Sequence, residues 1–379
     1  MRAAVCCLDP LATPNGFGGP MSRTDEWHRD LERVITRRTE LERHLTLTED
    51  ERRAIDALKT EYPVLISRHY LNLIDPADPD DPLRKVVVPS ASELSYRPGE
   101  EDDDVHQDEA QYQPVPGIIH RYPGKLLFIP TLACPSHCRF CFRKGRKVKH
   151  LSETEGQRAL DYIRENESIR DVIVTGGEPL ILEDEEIDHW VSSIREIPHV
   201  EIVRMTSRFP IYIPSRITES LVSILARYKP FFMTFSFVHP REVTPEVERG
   251  LRMLADAGIV LLQQGPLLHG VNDDPEVLRE LYERLVRNRV LPYYAIWGIH
   301  APGAEHFMVN GDEASRILGS LENKTSGFCI PHLITIARGD KVRMMGWSPE
   351  RAEEHLKRAR RRVTSAPSRL DVPGETPHK

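Results

Sequence analysis

The spacing of apolar residues changes along the chain and marks out its secondary structure. From Leu126 onward, short apolar runs of strand length alternate with longer segments in which apolar residues recur every three or four positions. Strands are predicted at 126–129, 172–175, 202–205, 231–237, 259–263, 291–297 and 333–337, and helices at 153–165, 185–196, 216–227, 245–257, 275–288 and 311–322. This alternation is typical of parallel strands joined by helices. It predicts an α/β fold, a partial or complete (β/α) barrel with its chemistry at the carboxyl ends of the strands.

The chain before the barrel has a helical pattern. Residues 25–74 are expected to be mostly helical, and Thr46 to Glu49 and Thr48 to Glu51 both resemble capping boxes. An acidic run follows within residues 100–110, and such a run is typical of a solvated loop. The predicted organisation is a disordered tail at 1–21, an N-terminal helical extension and linker at 22–110, the barrel at 111–346 and a polar, basic tail at 347–379. Whether translation starts at Met1 or at Met21 stays open.

Composition excludes several classes of protein. The 379 residues are 40% hydrophobic, which is enough to build a core. The sequence lacks a run of about 18 apolar residues, so a membrane-spanning helix is not expected. Fifty-one Lys and Arg against 58 Asp and Glu give a net charge of −7, which does not favour a general nucleic-acid binder. Because the start does not resemble a secretory signal, a soluble cytoplasmic protein is expected, with neither nucleic acid nor membrane as a partner.

Three of the six cysteines lie within eight residues, directly after the first predicted barrel strand. A disulfide framework would spread cysteines along the chain, whereas Cys134, Cys138 and Cys141 have a spacing typical of a metal or iron–sulfur site. Three thiolates can hold three irons of a [4Fe–4S] cluster and leave the fourth iron open to a small molecule. The alternative is a zinc site completed by His137, but these residues are too close in sequence for easy tetrahedral geometry.

A second motif lies one β–α unit later, where a predicted strand ends in Gly176-Gly177-Glu178. Glycines at that point let the backbone approach a ligand closely, and Glu178 could accept a hydrogen bond from an ammonium group. Strand-end glycines are common, so the motif alone is weak evidence. Its position after the cysteine loop makes it strong evidence for a cofactor site.

Together the two motifs resemble the radical S-adenosylmethionine (SAM) enzymes, and further blocks are similar to the lysine 2,3-aminomutase family. These blocks lie at 73–82, 114–123, 207–210, 214–218, 239–240, 270–273, 305–307 and 324–327, so they cover most of the chain. The resemblance implies that the three cysteines bind a [4Fe–4S] cluster whose open iron SAM chelates. It also implies that Gly176, Gly177 and Glu178 contact the methionine moiety.

The resemblance implies a reaction as well. Family members move an α-amino group to the β-carbon: pyridoxal phosphate holds the amino acid as an external aldimine, and a 5′-deoxyadenosyl radical abstracts hydrogen. Position by position, Arg121, Tyr122, Lys125 and Gln264 match residues that contact pyridoxal phosphate, with Lys125 where arginine is usual. Arg143 matches the arginine that binds the substrate carboxylate, a role suited to a guanidinium group. The alternative is that Arg143 has no role in the site and belongs only to a basic stretch, formed by Arg139, Arg143, Lys144, Arg146, Lys147 and Lys149.

Three departures from the family pattern matter. The loop that bears the pyridoxal lysine is shorter here, so Lys341 is the candidate for the Schiff base, with an exposed loop lysine as the alternative. Two aspartates that bind the ammonium group of lysine are replaced by Ile299 and Ile336, with His300 adjacent. Because an unpaired buried charge is costly, an amino acid with a neutral or apolar side chain is expected as substrate, not lysine. The family's cysteine-rich C-terminal segment is absent, so its zinc is not expected.

The sequence therefore predicts a radical SAM isomerase of the aminomutase type that uses a [4Fe–4S] cluster, SAM and pyridoxal phosphate. Its expected partners are a small amino acid and an electron donor such as flavodoxin or ferredoxin, and a homo-oligomer stays open. The main alternative is an epimerase, dehydrogenase or lyase that works without pyridoxal phosphate, which the short loop at 337–341 favours. A third interpretation is a non-catalytic iron–sulfur protein. Cys329 is expected to be a buried free cysteine, and Cys6 and Cys7 fall in the N-terminal tail.

Overall fold

In the part of the chain that the structure describes, the alternating pattern produces a single sheet with two more strands than predicted. The computed structural model describes residues 25–95, 110–144, 146–298, 301, 303–337 and 340–343. The strands are β1 (Ile118–Tyr122), β2 (Lys125–Thr131), β3 (Asp171–Gly176), β4 (Ile202–Ser207), β5 (Phe231–Phe235), β6 (Val260–Pro266), β7 (Val290–Trp297), β8 (His332–Ala337) and β9 (Asp340–Arg343). They neighbour one another in chain order, and β2 to β8 run parallel. The seven predicted strands are confirmed.

The two additional strands lie at the edges of the sheet. Strand β1 pairs antiparallel with β2, and β9 pairs antiparallel with β8. The edges also meet, because the backbone N–H of Lys341 in β9 donates to the hydroxyl oxygen of Tyr122 in β1 at 3.3 Å. A sheet whose first and last strands touch is curved, which confirms the predicted partial barrel.

The helices between the strands are close to their predicted positions. Within the described residues the helices are α1 (Glu26–Glu32), α2 (Arg38–Leu41), α3 (Glu49–Leu58), α4 (Arg68–Leu71), α5 (Pro82–Val87), α6 (Glu153–Glu165), α7 (Asp184–Arg195), α8 (Phe209–Tyr212), α9 (Glu219–Arg227), α10 (Pro245–Asp256), α11 (Pro275–Arg287) and α12 (Gly311–Gly319). The largest differences are three residues: α9 begins three residues later than expected, and α12 ends three residues earlier. Thr218 caps α9 by accepting a hydrogen bond from the N–H of Leu221, and a separate 3₁₀ turn precedes it.

The N-terminal part is built from short helices. Of the two candidate capping boxes, the one formed by Thr48 and Glu51 is present at the start of α3. All described residues belong to one compact unit that ends at Arg343, and side chains of α1 to α5 share the core of the barrel.

The predicted domain boundaries stay predictions. The tails at 1–21 and 347–379, the acidic run, Ile299 and His300 lie outside the described residues. Among the helices described, none is long and apolar enough to cross a membrane.

The two faces of the sheet differ in burial. Val172, Val174 and Val203 are buried in one core with the helices, so they mark the outer face of the barrel. The alternate positions Ile173 and Arg204 are only half-buried and face the lumen. Strand alternation therefore leaves one face of the sheet available for ligands.

Gly156 in α6 provides a test of helix packing against the neighbouring helix. A Cβ atom at this position would lie 2.1 Å from the ring of Trp190, which is buried. A helical Gly→Ala change usually stabilises by about 1 kcal/mol, but here the ring must move, and overpacking costs about 1–3 kcal/mol. Gly156→Ala is therefore expected to lower the free energy of unfolding measured in urea. Gly319→Ala, where no atom lies within 4 Å, is the control and should cause no loss.

Candidate active site

The cysteine loop follows β2 and brings three thiols together at the carboxyl end of that strand. Cys134, Cys138 and Cys141 are all free, and Cys138 is the most buried of them. Desolvation raises the pKa of Cys134 well above its ordinary value and also raises that of Cys138. In both cases neighbouring thiols of the same loop raise the pKa further, so the three groups interact with one another. Such a set is stable as thiolates only beside a strong positive charge.

A buried charge cluster holds the loop from behind. The guanidinium group of Arg139 donates to both carboxylate oxygens of Glu93, at 2.9 and 2.6 Å, and the ammonium group of Lys144 donates to the same carboxylate. Arg139 is fully buried, and its side chain also donates to the carbonyl of Tyr62 at 3.2 Å. The hydroxyl of Tyr62 donates to the carbonyl of Cys138 at 2.9 Å. Two residues of the basic stretch, Arg139 and Lys144, are therefore buried.

His137 has its own contacts in the loop. Its Nδ1 donates to the carbonyl of Pro63 at 2.8 Å, and its ring stacks on Tyr62 with 4.4 Å between centroids. Burial lowers its pKa to about 4, so the imidazole is neutral at pH 7. These contacts support a role in seating the loop.

The glycine motif packs against the cysteine loop. The N–H of Gly177 donates to the carbonyl of Thr131 at 3.0 Å, and the N–H of Glu178 donates to that of Ala133 at 2.8 Å. Gly176 has a φ of 138°, and a Cβ at Gly177 would lie 2.3 Å from the Ala133 carbonyl oxygen. Only glycine allows this approach. The space next to both glycines is thus filled by backbone leading into the cysteine loop, a contact that sequence analysis did not predict.

The carboxylate of Glu178 joins two strand ends. It accepts hydrogen bonds from the backbone N–H groups of Arg208 at 2.8 Å, Phe209 at 3.0 Å and Leu180 at 3.3 Å. Burial raises its pKa to about 7. Both oxygens already accept hydrogen bonds in this structure, and the predicted contact with an ammonium group stays a prediction.

Arg143 lies beside the same motif. Its Nη1 donates to the carbonyl of Gly176 at 3.4 Å, and its guanidinium carbon lies 4.5 Å above the ring of Phe142. The cysteine loop, the glycine motif and Arg143 therefore meet at the carboxyl ends of β2 and β3. This is the region where a (β/α) barrel places its chemistry.

A second group of predicted residues meets in the lumen around Lys341. The Nζ of Lys341 lies 4.3 Å above the ring of Tyr294, and its backbone bonds to Tyr122. The Nζ of Lys125 lies 4.5 Å above the ring of Tyr122. Gln264 is the cross-strand partner of Tyr294. The structure thus collects residues from β1, β2, β6, β7 and β9 that are distant in sequence.

Among the described side chains, this group carries an excess of positive charge. Partial desolvation lowers the pKa of Lys341, and the charges of Lys125, Arg204 and Arg343 lower it further. One of these cations is balanced, because Arg204 forms an ion pair with Asp171 at 2.7 Å. The remaining charge suits an anionic ligand such as a phosphate group. Sequence analysis missed Arg204 and Arg343, since only strand register shows that they face the lumen.

Two other predicted residues have different surroundings. The guanidinium carbon of Arg121 lies 4.7 Å above the ring of Tyr112, and its predicted contact with pyridoxal phosphate stays a prediction. Cys329 is 3% exposed and free, which confirms the expectation of a buried free cysteine.

Comparison with known proteins decides the family. Residues 128–282 match the model of the Radical SAM superfamily. The chain is 38% identical over 318 residues to L-lysine 2,3-aminomutase of Clostridium subterminale, which covers 83% of this chain and 76% of that protein. It is 40% identical over 305 residues to L-lysine 2,3-aminomutase of Methanococcus maripaludis, with coverage of 79% and 70%. This chain belongs to the lysine 2,3-aminomutase family.

Membership of the lysine 2,3-aminomutase family confirms that the protein is an enzyme, an isomerase of the radical SAM type. The family implies a [4Fe–4S] cluster and SAM. A relative named glutamate 2,3-aminomutase, from Clostridioides difficile, is 37% identical over 319 residues and covers 83% of this chain and 75% of that protein. Since these relatives are named for two different amino acids, membership of the family does not identify the substrate.

The cysteine loop fits the cluster that the lysine 2,3-aminomutase family implies. Within the described residues, no three His, Cys, Asp or Glu side chains are placed to hold a single metal ion. The ligands of a cluster bind different irons, so the fit rests on the three interacting thiols themselves. Their desolvation and the absence of a disulfide among them suit thiolates that bind a cationic iron–sulfur core.

Glu93→Gln tests the charge cluster behind the loop. The change leaves Arg139 and Lys144 buried without a carboxylate, and breaking a buried pair in this way costs about 3–5 kcal/mol. Anaerobic urea unfolding of the cluster-loaded protein should show this loss, together with lower iron content. Glu61→Gln, at an exposed position, is the control.

Comparing the wild type with Glu93→Gln also tests how the stability of the folded protein depends on pH. Although burial opposes it, the charges of Arg139 and Lys144 lower the pKa of Glu93. The folded protein therefore binds fewer protons at Glu93 than the unfolded chain does in the acid range, so this contribution to stability is lost as the pH falls through the carboxyl range. Below about pH 5, where the unfolded chain begins to take up this proton, the stability of the wild type should fall more steeply than that of Glu93→Gln. Parallel curves would contradict the assignment.

Proposed function

We propose that the protein is a 2,3-aminomutase that shifts the α-amino group of an amino acid with a neutral or apolar side chain, not lysine, to the β-carbon. The observation that carries this proposal is the position of Lys341: its backbone N–H donates to the hydroxyl of Tyr122, and Lys125 lies over the ring of the same tyrosine. Tyr122 and Lys125 are residues expected to hold pyridoxal phosphate, and Lys341 is the residue expected to bond it.

The residues at the carboxyl ends of β2 and β3 generate and direct the radical in this proposal. Cys134, Cys138 and Cys141 hold the cluster, and Arg143 binds the substrate carboxylate from beside Gly176. When bound, the cluster and SAM supply a radical that removes hydrogen from the substrate. The protein contributes position: the buried contacts of Arg139 and Tyr62 hold the loop in one arrangement.

The cation-rich lumen supports the pyridoxal phosphate assignment. Lys125 and Arg343 present positive charge toward a phosphate, and the lowered pKa of Lys341 increases the fraction of neutral, nucleophilic amine. When bound, pyridoxal phosphate supplies the conjugated system through which the nitrogen migrates. Gln264 and the ring of Tyr294 contribute a polar and an aromatic wall on the same side.

The substrate preference rests on Ile336. It is the direct cross-strand partner of Lys341, so both side chains lie on the same face of the sheet, and 47% of its surface is exposed toward the lumen side. An apolar side chain here packs against an apolar substrate and provides no hydrogen-bond or charge partner for a distant ammonium group.

Flavodoxin or ferredoxin as the electron donor stays a prediction.

Isotope transfer tests the reaction. Anaerobic enzyme reconstituted with cluster, SAM and pyridoxal phosphate is incubated with a low-potential reductant and amino acids labelled with ¹⁵N at the α-position. The label should appear on the β-carbon of neutral amino acids by NMR, at a kcat/KM at least about tenfold above that for lysine, a difference of about 1.4 kcal/mol in transition-state binding. Lysine as the preferred substrate would contradict the role of Ile336.

Reductive trapping tests Lys341. Borohydride treatment of the enzyme loaded with pyridoxal phosphate should leave a phosphopyridoxyl group on the peptide that contains Lys341. The adduct should be lost in Lys341→Ala and kept in Lys324→Ala, which changes an exposed lysine elsewhere. If wild-type protein gives no adduct but still cleaves SAM, an enzyme that works without pyridoxal phosphate becomes the better proposal.

A further inference from the structure

A tyrosine lies against one of the cluster cysteines. The hydroxyl oxygen of Tyr212, the last residue of α8, lies 2.8 Å from Sγ of Cys138. Tyr212 is 1% exposed, so water does not compete for this contact. The hydroxyl comes from the segment that follows β4, two strands away from the cysteine loop in the sheet.

The surroundings of this hydroxyl decide the direction of its hydrogen bond. Arg208 approaches the hydroxyl oxygen with Nε at 3.2 Å and Nη2 at 3.0 Å. A guanidinium group can only donate, so the lone pairs of the oxygen are used by Arg208. The phenolic proton of Tyr212 is then left for the sulfur of Cys138, which as a thiolate can only accept.

Arg208 is itself held in place. Its Nη2 donates to Glu242 at 2.9 Å, and its Nη1 donates to the carbonyl of Ser236. Glu242 is fully buried and also accepts from the hydroxyl of Tyr70 at 2.8 Å and from the N–H of Val238 at 2.7 Å. This chain of contacts fixes the phenol of Tyr212 in one orientation, because Arg208 and Glu242 are each held by several hydrogen bonds.

We propose that Tyr212 is a positioning residue that donates a hydrogen bond to the Cys138 thiolate and thereby raises the reduction potential of the cluster. On reduction, one electron passes from an external low-potential donor protein to the cluster; no bond breaks and no proton moves in that step. The added negative charge is shared with the thiolate sulfurs, so a hydrogen bond to sulfur stabilises the reduced form more than the oxidised form. The inference rests on Cys138 as a cluster ligand, which is part of the proposed function.

Tyr212→Phe removes the donor and keeps the ring. The reduction potential is measured by titration with titanium(III) citrate, with the reduced cluster followed by electron paramagnetic resonance. We expect a shift to more negative potential, with the equilibrium constant for reduction falling about tenfold, or about 59 mV for one electron. Tyr70→Phe is the matched control, since its hydroxyl belongs to the same network but bonds to Glu242, and its potential should stay at the wild-type value. An unshifted potential in Tyr212→Phe, at equal iron and sulfide content, would overturn the proposal.

A measurement on the wild type covers the case in which Tyr212→Phe does not hold a cluster. Reduced protein in deuterated buffer should show, by electron–nuclear double resonance, an exchangeable deuteron close to the cluster with the quadrupole coupling of an O–D group. Absence of that coupling would also overturn the inference.

If Cys138 is not a ligand of the cluster, the experiments give a different result. A wild type that holds no cluster, or a Cys138→Ala variant that keeps full cluster content, would contradict the proposed ligand set. An intact cluster that is lost in Cys138→Ala leaves the ligand set standing, and the potential of Tyr212→Phe then judges Tyr212 alone.

Discussion

The contact between two backbone segments at the carboxyl ends of β2 and β3 governs the rest of the site. Residues 176–178 lie so close to residues 131–133 that a Cβ at Gly176 or Gly177 would overlap carbonyl oxygens. Two hydrogen bonds join the segments across this approach. Because Glu178 then binds the start of α8 through its carboxylate, the position of the cysteine loop is tied to that of β4.

Charged groups buried around the loop make this arrangement rigid. Glu93 holds Arg139 and Lys144 on one side, and Glu242 holds Arg208 on the other. Each ion is both paired and hydrogen-bonded, as buried charges must be to avoid a large desolvation penalty. The thiols therefore lie in a preorganised environment, with hydrogen-bond donors and net charge already placed before any cofactor binds.

The proposed reaction uses two regions of one lumen. Radical generation belongs to the strand ends near Arg143, and nitrogen migration belongs to the cation-rich group around Lys341. The curvature of the sheet makes this possible, since it brings Tyr122 of the first strand to Lys341 of the last. A substrate between the regions would meet its carboxylate partner on one side and Ile336 on the other.

The sequence by itself determined the features that depend on local order: the seven parallel strands, the helices between them and the cysteine and glycine motifs, because apolar periodicity and motif spacing act over a few residues. It did not show β1 and β9, short segments of five and four residues that become strands by pairing with their neighbours. Nor did it show that Arg139 and Lys144 are buried against Glu93, because a run of basic residues in a sequence is more typical of a solvated surface. Tertiary structure alone decided which residues face the lumen and that Tyr212 meets Cys138, since strand register and long-range packing place side chains that the chain separates by many residues.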